Sequence, residues 1–346
     1  MQKWFYSLLL ILPGFTACNS NKTVPDVADI RINLEVQHFE QDFFNIDTSN
    51  INAGLAVLHQ KYPLFLPDYL QYILGLSPGE TGKSDSAIKI FLRDYKIVKD
   101  TASKIFSDFS KIEEQVKSGL QFTRYYFPGY KTPGKLITFI GPLDAIFQTS
   151  FGKSGDVITE DALAVALQLH LGNNASLYQS QIAQSLFPEY VSLKFGPAYI
   201  VVNCMKNIID DLFPPNPKDK TLLDLTIDKG KRLYLLDKIL PYTADSLKIG
   251  YTGVQLKGCY ANEGLIWNYL LQNNLVYESD PLRIQSYVEE GPVTQEIGEG
   301  SPGYISLFLG WQIVKKYMEK FPGTSIDELL KLDAVQILRD SQYKPR

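Results

Sequence analysis

The chain has 346 residues, of which 45% are hydrophobic and 21% are charged, and this balance excludes a largely disordered or low-complexity protein. Its formal net charge is −4, so the sequence predicts no basic surface for nucleic acid. Only three histidines and three cysteines occur, which argues against a zinc-rich protein.

The N-terminus has the pattern of a secretory leader. Lys3 supplies a positive charge, residues 4–12 form an apolar run too short to span a bilayer, and Thr16 and Ala17 precede Cys18. This pattern resembles a bacterial lipoprotein signal, in which Cys18 becomes the acylated first residue and anchors the chain to a membrane. The alternative is a leader cut nearby, with Cys18 as an ordinary thiol. The predicted division of the chain is a signal peptide at 1–17, a flexible tether at 18–28 and a single globular domain at 29–346.

The residues after Cys18 bear on location. Asn19 is not the aspartate associated with retention in an inner membrane, and no acidic cluster follows, so we predict the periplasmic face of the outer membrane. In this oxidising compartment Cys204 and Cys259 could form a disulfide. The alternative is two buried free thiols on two helices.

The first part of the globular region mixes one strand with several helices. Apolar residues alternate over 30–36 and predict a half-buried strand. Helical patterns follow, broken at Pro63, Pro67 and the turn at 77–79. These predicted helices cover 51–60, 65–74, 84–99 and 103–118.

The middle of the chain switches to strand patterns at 136–140, 145–151 and 163–171. The last of these alternates strictly between apolar and other residues. His38 and His170 fall on the polar side of such alternations, so we expect both to be solvated.

The remaining pattern is mostly helical. Ser301 is expected to cap a helix that has Pro302 in its first turn, and Thr324 or Ser325 to start the last helix. Together with the short strands, this predicts an α+β fold that is mostly helical with a small sheet. The predicted helices cover 176–186, 197–210, 219–238, 253–275, 302–320 and 325–339.

Catalytic motifs are missing from the sequence. It contains no His-Glu-x-x-His, no Gly-x-Ser-x-Gly and no phosphate or dinucleotide loop, so we predict no catalytic residue, no cofactor and no metal ligand. A Gly-rich loop with four acids could hold calcium or be simply solvated. Glu263 is flanked by residues that should be buried, so it needs a partner. The loop acids are Glu289, Glu290, Glu296 and Glu299.

Several short motifs occur together and in order. The motifs are FPEY at 187–190, GKRLYLLD at 230–237, IGYT at 249–252, Asn262-Glu263 with Ile266-Trp267, and SPG at 301–303 leading into GWQIVKKYM at 310–318. Together they resemble the GldB family of gliding-motility lipoproteins from Bacteroidota over nearly the whole mature chain, with the spacing kept.

The resemblance implies a lipid-anchored, non-enzymatic envelope protein needed for gliding, in a system tied to type IX secretion. Its partners would be the membrane, through Cys18, and proteins of that machinery. Candidate binding residues are Glu263, Glu299, Trp311 and Gln312.

Two alternatives to this function remain. One is an envelope hydrolase that uses Glu263 with the loop acids as acid and base. The other is an inactive relative of metallopeptidases. A remote similarity to predicted zinc metallopeptidases would place the metal helix at 198–207 and a ligand glutamate near Lys229. The helix holds no His-Glu pair and Lys229 is a cation that repels a metal, so the metal site of a degenerate zincin-like fold would be lost.

Overall fold

The structure is a computed structural model that describes residues 24–76, 81–215 and 220–345. The predicted signal peptide and Cys18 lie outside these residues. Within them, no helix combines the length and apolar character needed to cross a membrane.

The strands form a small sheet beside a separate hairpin. In the sheet the order is β1-β2-β6-β5, with β1 and β6 parallel to β2 and β5 antiparallel to β6. β3 and β4 pair as the hairpin. The strands are β1 (Glu35–His38), β2 (Lys135–Phe139), β3 (Phe147–Thr149), β4 (Gly152–Ser154), β5 (Val157–Ile158) and β6 (Ala162–Ala166).

The first predicted strand is displaced in the structure. Pairing with β2 starts only at Glu35, so residues 30–34 have no strand partner among the described residues and the strand runs to His38. His38 itself is half-buried, and its Nδ1 lies 2.9 Å from the Thr138 hydroxyl. Its side chain is 33% exposed, so the prediction that His38 is solvated holds only in part.

β6 is shorter and more deeply buried than its alternation predicts. It pairs on both sides and is buried on both faces, and a 3-10 turn at Leu167–Leu169 replaces its predicted second half. Gln168 and His170 are consequently buried, at 0% and 2% exposure. The expectation that His170 is solvated is wrong, because it follows the 3-10 turn and its ring lies between Asp156 and the Gly196 carbonyl oxygen.

Helices make up most of the described chain, so the predicted α+β class is confirmed. The zincin-like alternative stays a prediction.

The N-terminal helices are α1 (Phe39–Phe43), α2 (Ile51–Lys61), α3 (Phe65–Asp68) continued by a π-helix (Tyr69–Ile73), α4 (Thr81–Asp94), α5 (Lys96–Ile105) and α6 (Ser110–Tyr126). The central helices are a 3-10 turn (Ser176–Gln179), α7 (Gln181–Leu186), α8 (Glu189–Ser192), α9 (Tyr199–Leu212) and α10 (Leu222–Ile239). The C-terminal helices are α11 (Asp245–Ile249), α12 (Gly253–Ala261), α13 (Glu263–Gln272), α14 (Pro281–Val288), α15 (Ile305–Lys320), α16 (Ile326–Lys331) and α17 (Ala334–Ser341).

Helix α15 starts later than predicted. Its N-cap is Tyr304, in the left-handed conformation at φ 63°, and not Ser301. The Ser301 hydroxyl instead accepts a bond from the Thr294 amide and lies 2.8 Å from the Gly298 carbonyl oxygen. Ser301 therefore closes the preceding loop.

The C-terminal helices pack around α10 and α15, whose backbones nearly touch. A Cβ added to Gly310 would lie 1.8 Å from the Thr226 carbonyl oxygen, and one added to Gly230 would lie 2.2 Å from Gly310.

Cys204 on α9 and Cys259 on α12 are buried and free, which confirms the free-thiol alternative; the disulfide alternative is wrong.

Candidate functional site

A cavity of about 520 Å³ lies between the β3–β4 hairpin, α8, α9 and α10. Its volume falls within the range of small-ligand pockets. Aromatic side chains form much of its wall, and charged and amide side chains form its floor and sides. The aromatic lining residues are Phe151, Phe187, Tyr190, Phe195, Tyr199 and Tyr304.

The floor of the cavity is built around Asp156, which is 2% exposed. One carboxylate oxygen accepts from the Ala166 amide at 2.8 Å, and the other accepts from the Asn203 side-chain amide at 2.8 Å. His170 Nε2 lies 2.8 and 3.0 Å from the two oxygens. The Asn207 amide, one turn further along α9, donates to the Asp156 carbonyl oxygen at 3.0 Å. Asp156 thus joins the sheet to α9.

His170 is held from both sides of its ring. Its Nε2 faces Asp156, and its Nδ1 lies 3.3 Å from the Gly196 carbonyl oxygen. Both ring nitrogens face oxygen atoms of the protein, so the position and orientation of the ring are fixed. The His170–Asp156 pair therefore fixes the floor, and both ring nitrogens are engaged by protein oxygens.

Two lysines line the cavity from facing helices, Lys206 on α9 and Lys229 on α10. The Lys206 ammonium lies 5.0 Å from the centre of the Phe151 ring, and the Lys229 ammonium lies 5.7 Å from that of Tyr304. Lys229 also donates to the Ser150 carbonyl oxygen. Burial lowers the pKa of each lysine to about 8.

The hairpin that carries Ser150 is tied to the helices. The Ser150 amide donates to Asp210 at 2.8 Å, and Arg232, itself 3% exposed, donates to the other Asp210 oxygen at 2.9 Å. The Tyr304 hydroxyl donates to the Ser150 carbonyl oxygen at 3.2 Å. These bonds hold the hairpin over the two lysines.

The acids of the predicted Gly-rich loop do not lie together. Glu290 lines the cavity and forms an ion pair with Lys194, while Glu289 lines it with an exposed side chain. Glu296 is exposed and accepts from the Ser286 hydroxyl at 2.9 Å. Glu299 is exposed at the end of this loop.

Glu263 lies at the start of α13, outside the lining of the cavity. It is half-buried, and the partner that a buried carboxylate needs is the Tyr343 hydroxyl, which donates to Glu263 at 2.7 Å. This bond attaches the C-terminal segment to α13, so the contact seen for Glu263 is an internal one.

Trp311 and Gln312 lie on α15. Trp311 is fully buried; its Nε1 donates to Asp237 at 2.6 Å and the Lys315 ammonium lies 3.2 Å from its ring centre. A side chain packed in this way is a core residue with no surface for a partner. Gln312 is half-buried, and its Nε2 has no hydrogen-bond partner within the part of the chain that the structure describes.

The remote metallopeptidase similarity pointed to segments that do line the cavity. α9 supplies Asn203 and Asn207 at positions one turn apart, and Lys229 lies on the facing helix. Across the described ranges, no group of three or more His, Cys, Asp and Glu side chains is placed to hold a metal ion.

A model of one protein family, described as gliding motility protein GldB, matches residues 20–345. The chain belongs to this family. GldB is a lipoprotein family of the gliding motility system, which agrees with an envelope-associated protein. A search of curated proteins and a search of solved structures each returned no match.

Sequence reasoning did not find Asp156, Lys206 or Lys229 as a group. The sequence signal that could have pointed to this site is the presence of polar residues inside an otherwise apolar helix, as at Asn203 and Asn207 on α9. A buried amide or charge needs a partner, so such positions indicate a polar site even where no motif is present.

Proposed function

We propose that this GldB-family chain is a lipid-anchored, non-enzymatic component of the gliding apparatus linked to type IX secretion. Cys18 would carry the acyl chains, and the globular region would face the periplasm at the outer membrane. Family membership and the lipoprotein-like N-terminus support this placement.

The observation that carries the non-enzymatic proposal is the state of the cavity floor. The Asp156 oxygens already accept bonds from Ala166, Asn203 and His170, and both His170 nitrogens face acceptors. A general base needs a lone pair directed at its substrate. This floor suits a rigid binding cavity better than proton transfer.

The proposal is tested by crosslinking intact cells that express a tagged, lipidated chain and identifying the proteins that co-purify. We expect components of the gliding or type IX secretion machinery, and a second tagged lipoprotein at matched abundance should not recover them. Failure to recover any of them reproducibly from a well-expressed, anchored chain would contradict the proposal.

The hydrolase alternative has a separate test. Glu263 is bonded to Tyr343 and Glu296 to Ser286, which favours structural roles for these acids. We therefore expect a Glu263→Gln, Glu296→Gln, Glu299→Gln chain that folds normally to restore gliding in a strain lacking the protein. Loss of gliding with a folded, abundant triple variant would support an acid–base role.

A further inference from the structure

The cavity contains more positive than negative charge. Four lysines line it, and three carboxylates do so. Two of these lysines, on α9 and α10, are half-buried, so their ammonium groups are partly withdrawn from water. The lysines are Lys153, Lys194, Lys206 and Lys229, and the acids are Asp156, Glu289 and Glu290.

Carboxylates act on the two lysines from beyond ion-pair distance, Glu290 and Asp210 on Lys206, and Asp228 and Asp210 on Lys229. Asp156 is occupied by the floor, and Glu290 pairs with Lys194. Glu289 is exposed and accepts from Gln285 at 2.7 Å. In the described part of the chain, neither Lys206 nor Lys229 forms an ion pair with a carboxylate.

The surroundings of the two lysines are aromatic. Lys206 lies over the Phe151 ring and Lys229 over the Tyr304 ring, and Tyr199 lines the same wall. Rings stabilise a poorly hydrated cation only in part, so an anion that enters the cavity gains a strong interaction. The rings also offer apolar surface to the rest of a ligand.

We infer that this cavity binds a small organic anion, whose carboxylate or phosphate group contacts the ammonium groups of Lys206 and Lys229 and whose apolar part packs on the aromatic wall. The inference deepens the proposed function, on which it rests for the premise that the cavity binds and does not catalyse.

The lowered pKa of both lysines, to about 8, provides a way to test the site. At pH 7.5 a substantial fraction of each amine is neutral and can attack an aldehyde, whereas an ordinary lysine is almost wholly protonated. Pyridoxal phosphate is a suitable probe because it combines an aldehyde with an anionic group. The amine and aldehyde condense to an imine with loss of water, and borohydride then reduces the imine to a stable secondary amine.

In the full chain purified in detergent, we expect pyridoxal phosphate to label Lys206 or Lys229 at least about tenfold faster than the exposed Lys89. Mass spectrometry of peptides measures the rates. Pyridoxal, which lacks the phosphate, should show much less preference, and phenylphosphate or benzoate should slow the labelling. The more effective competitor identifies phosphate or carboxylate as the preferred group.

Equal labelling of cavity and exposed lysines, or equal rates with pyridoxal and its phosphate, would overturn the inference.

A second measurement uses ligand-induced thermal stabilisation. Phenylphosphate or benzoate should raise the melting temperature of the wild-type chain and of Lys89→Met, and should have no effect on the Lys206→Met, Lys229→Met double variant. An equal rise in the double variant would also overturn it. Neither result depends on gliding, so failure here leaves the proposed envelope role standing.

Discussion

Asp156 connects four parts of the chain, and its removal is expected to destabilise the protein strongly. Replacing it by Ala leaves the Ala166 amide, the Asn203 side chain and His170 without their acceptor. Breaking a buried pair of this kind costs about 3–5 kcal/mol. We expect Asp156→Ala to lower the free energy of unfolding by that amount in a urea titration.

The matched control for Asp156 is Asp144→Ala, because Asp144 is exposed. It should change the free energy of unfolding by less than about 0.5 kcal/mol. Equal effects of the two substitutions would show that the floor contacts do not stabilise the fold.

Glu40 is a buried carboxyl whose charge is unfavourable in the folded state. It is 3% exposed and accepts from the Thr138 hydroxyl at 2.7 Å. Burial raises the pKa of Glu40 to about 7, and the Thr138 bond and Lys99 oppose that rise only partly. His38 lies 3.6 Å away, and Asp42 adds to the rise.

The raised pKa of Glu40 predicts a pH dependence of stability. The folded state keeps the Glu40 proton up to about pH 7, whereas the unfolded chain releases it near pH 4.5. The stabilisation of the folded state by this proton is therefore fully present below pH 4.5 and is lost as the pH rises through 7. The difference corresponds to roughly 3 kcal/mol. Glu40→Gln should therefore be more stable than wild type at pH 8 in urea titrations.

The control for Glu40→Gln is Glu114→Gln, because Glu114 is exposed. This variant should follow the wild-type pH profile, while Glu40→Gln flattens it between pH 4.5 and 7. A Glu40→Gln chain that is less stable than wild type at pH 8 would contradict the burial argument.

Single residues were predictable where the determining contact is local. The Ser325 cap is confirmed, because its hydroxyl accepts from the Glu328 amide three residues away. It starts α16 and not the last helix as predicted, since the predicted helix at 325–339 is divided and α17 has Asp333 as its cap. His170 was not predictable in this way, since its partner Asp156 lies 14 residues earlier and meets it only in the folded sheet. The same holds for Lys206 and Lys229, which become neighbours of one cavity through helix packing.

At the scale of elements, the positions of most helices follow from their apolar patterns, but several breaks do not. The predicted helix at 84–99 divides at Tyr95, whose ring stacks on Phe91 at 4.6 Å and whose hydroxyl accepts from the Leu143 amide. The predicted helix at 253–275 divides at Asn262, whose side chain donates to the Gly258 carbonyl oxygen. The Asn262 bond is of the kind that competes with helical backbone bonds. Neither contact can be deduced from the periodicity of apolar residues.

The α10–α15 contact depends on glycine. Because a Cβ on Gly310 would lie 1.8 Å from the Thr226 carbonyl oxygen, Gly310→Ala must separate the two helices. We expect a loss of about 3 kcal/mol or more in the free energy of unfolding, measured by urea titration. Gly258→Ala on α12 is the control, because a Cβ there meets nothing within 4 Å. It should be neutral or stabilising by up to about 1 kcal/mol.

At the scale of the whole molecule, the buried apolar side chains form one cluster that extends from Leu34 to Tyr343. We therefore expect the globular region to unfold in one cooperative transition. Far-ultraviolet circular dichroism and tryptophan fluorescence should give the same midpoint in urea. Two resolved transitions would indicate separately folding units and contradict the predicted single domain.

The family, the α+β class and the approximate positions of most helices could be predicted from the sequence. The cavity could not, because it is assembled from the hairpin, α9 and α10, which are distant in the chain.

The central claim is that the protein serves gliding while anchored to the envelope through Cys18. The most direct measurement is the gliding speed of cells that lack the protein and express Cys18→Ala behind a cleavable leader. At wild-type abundance and with a folded globular region, this variant should fail to restore gliding, whereas the wild-type chain restores it. Equal speeds with the two chains would contradict the claim.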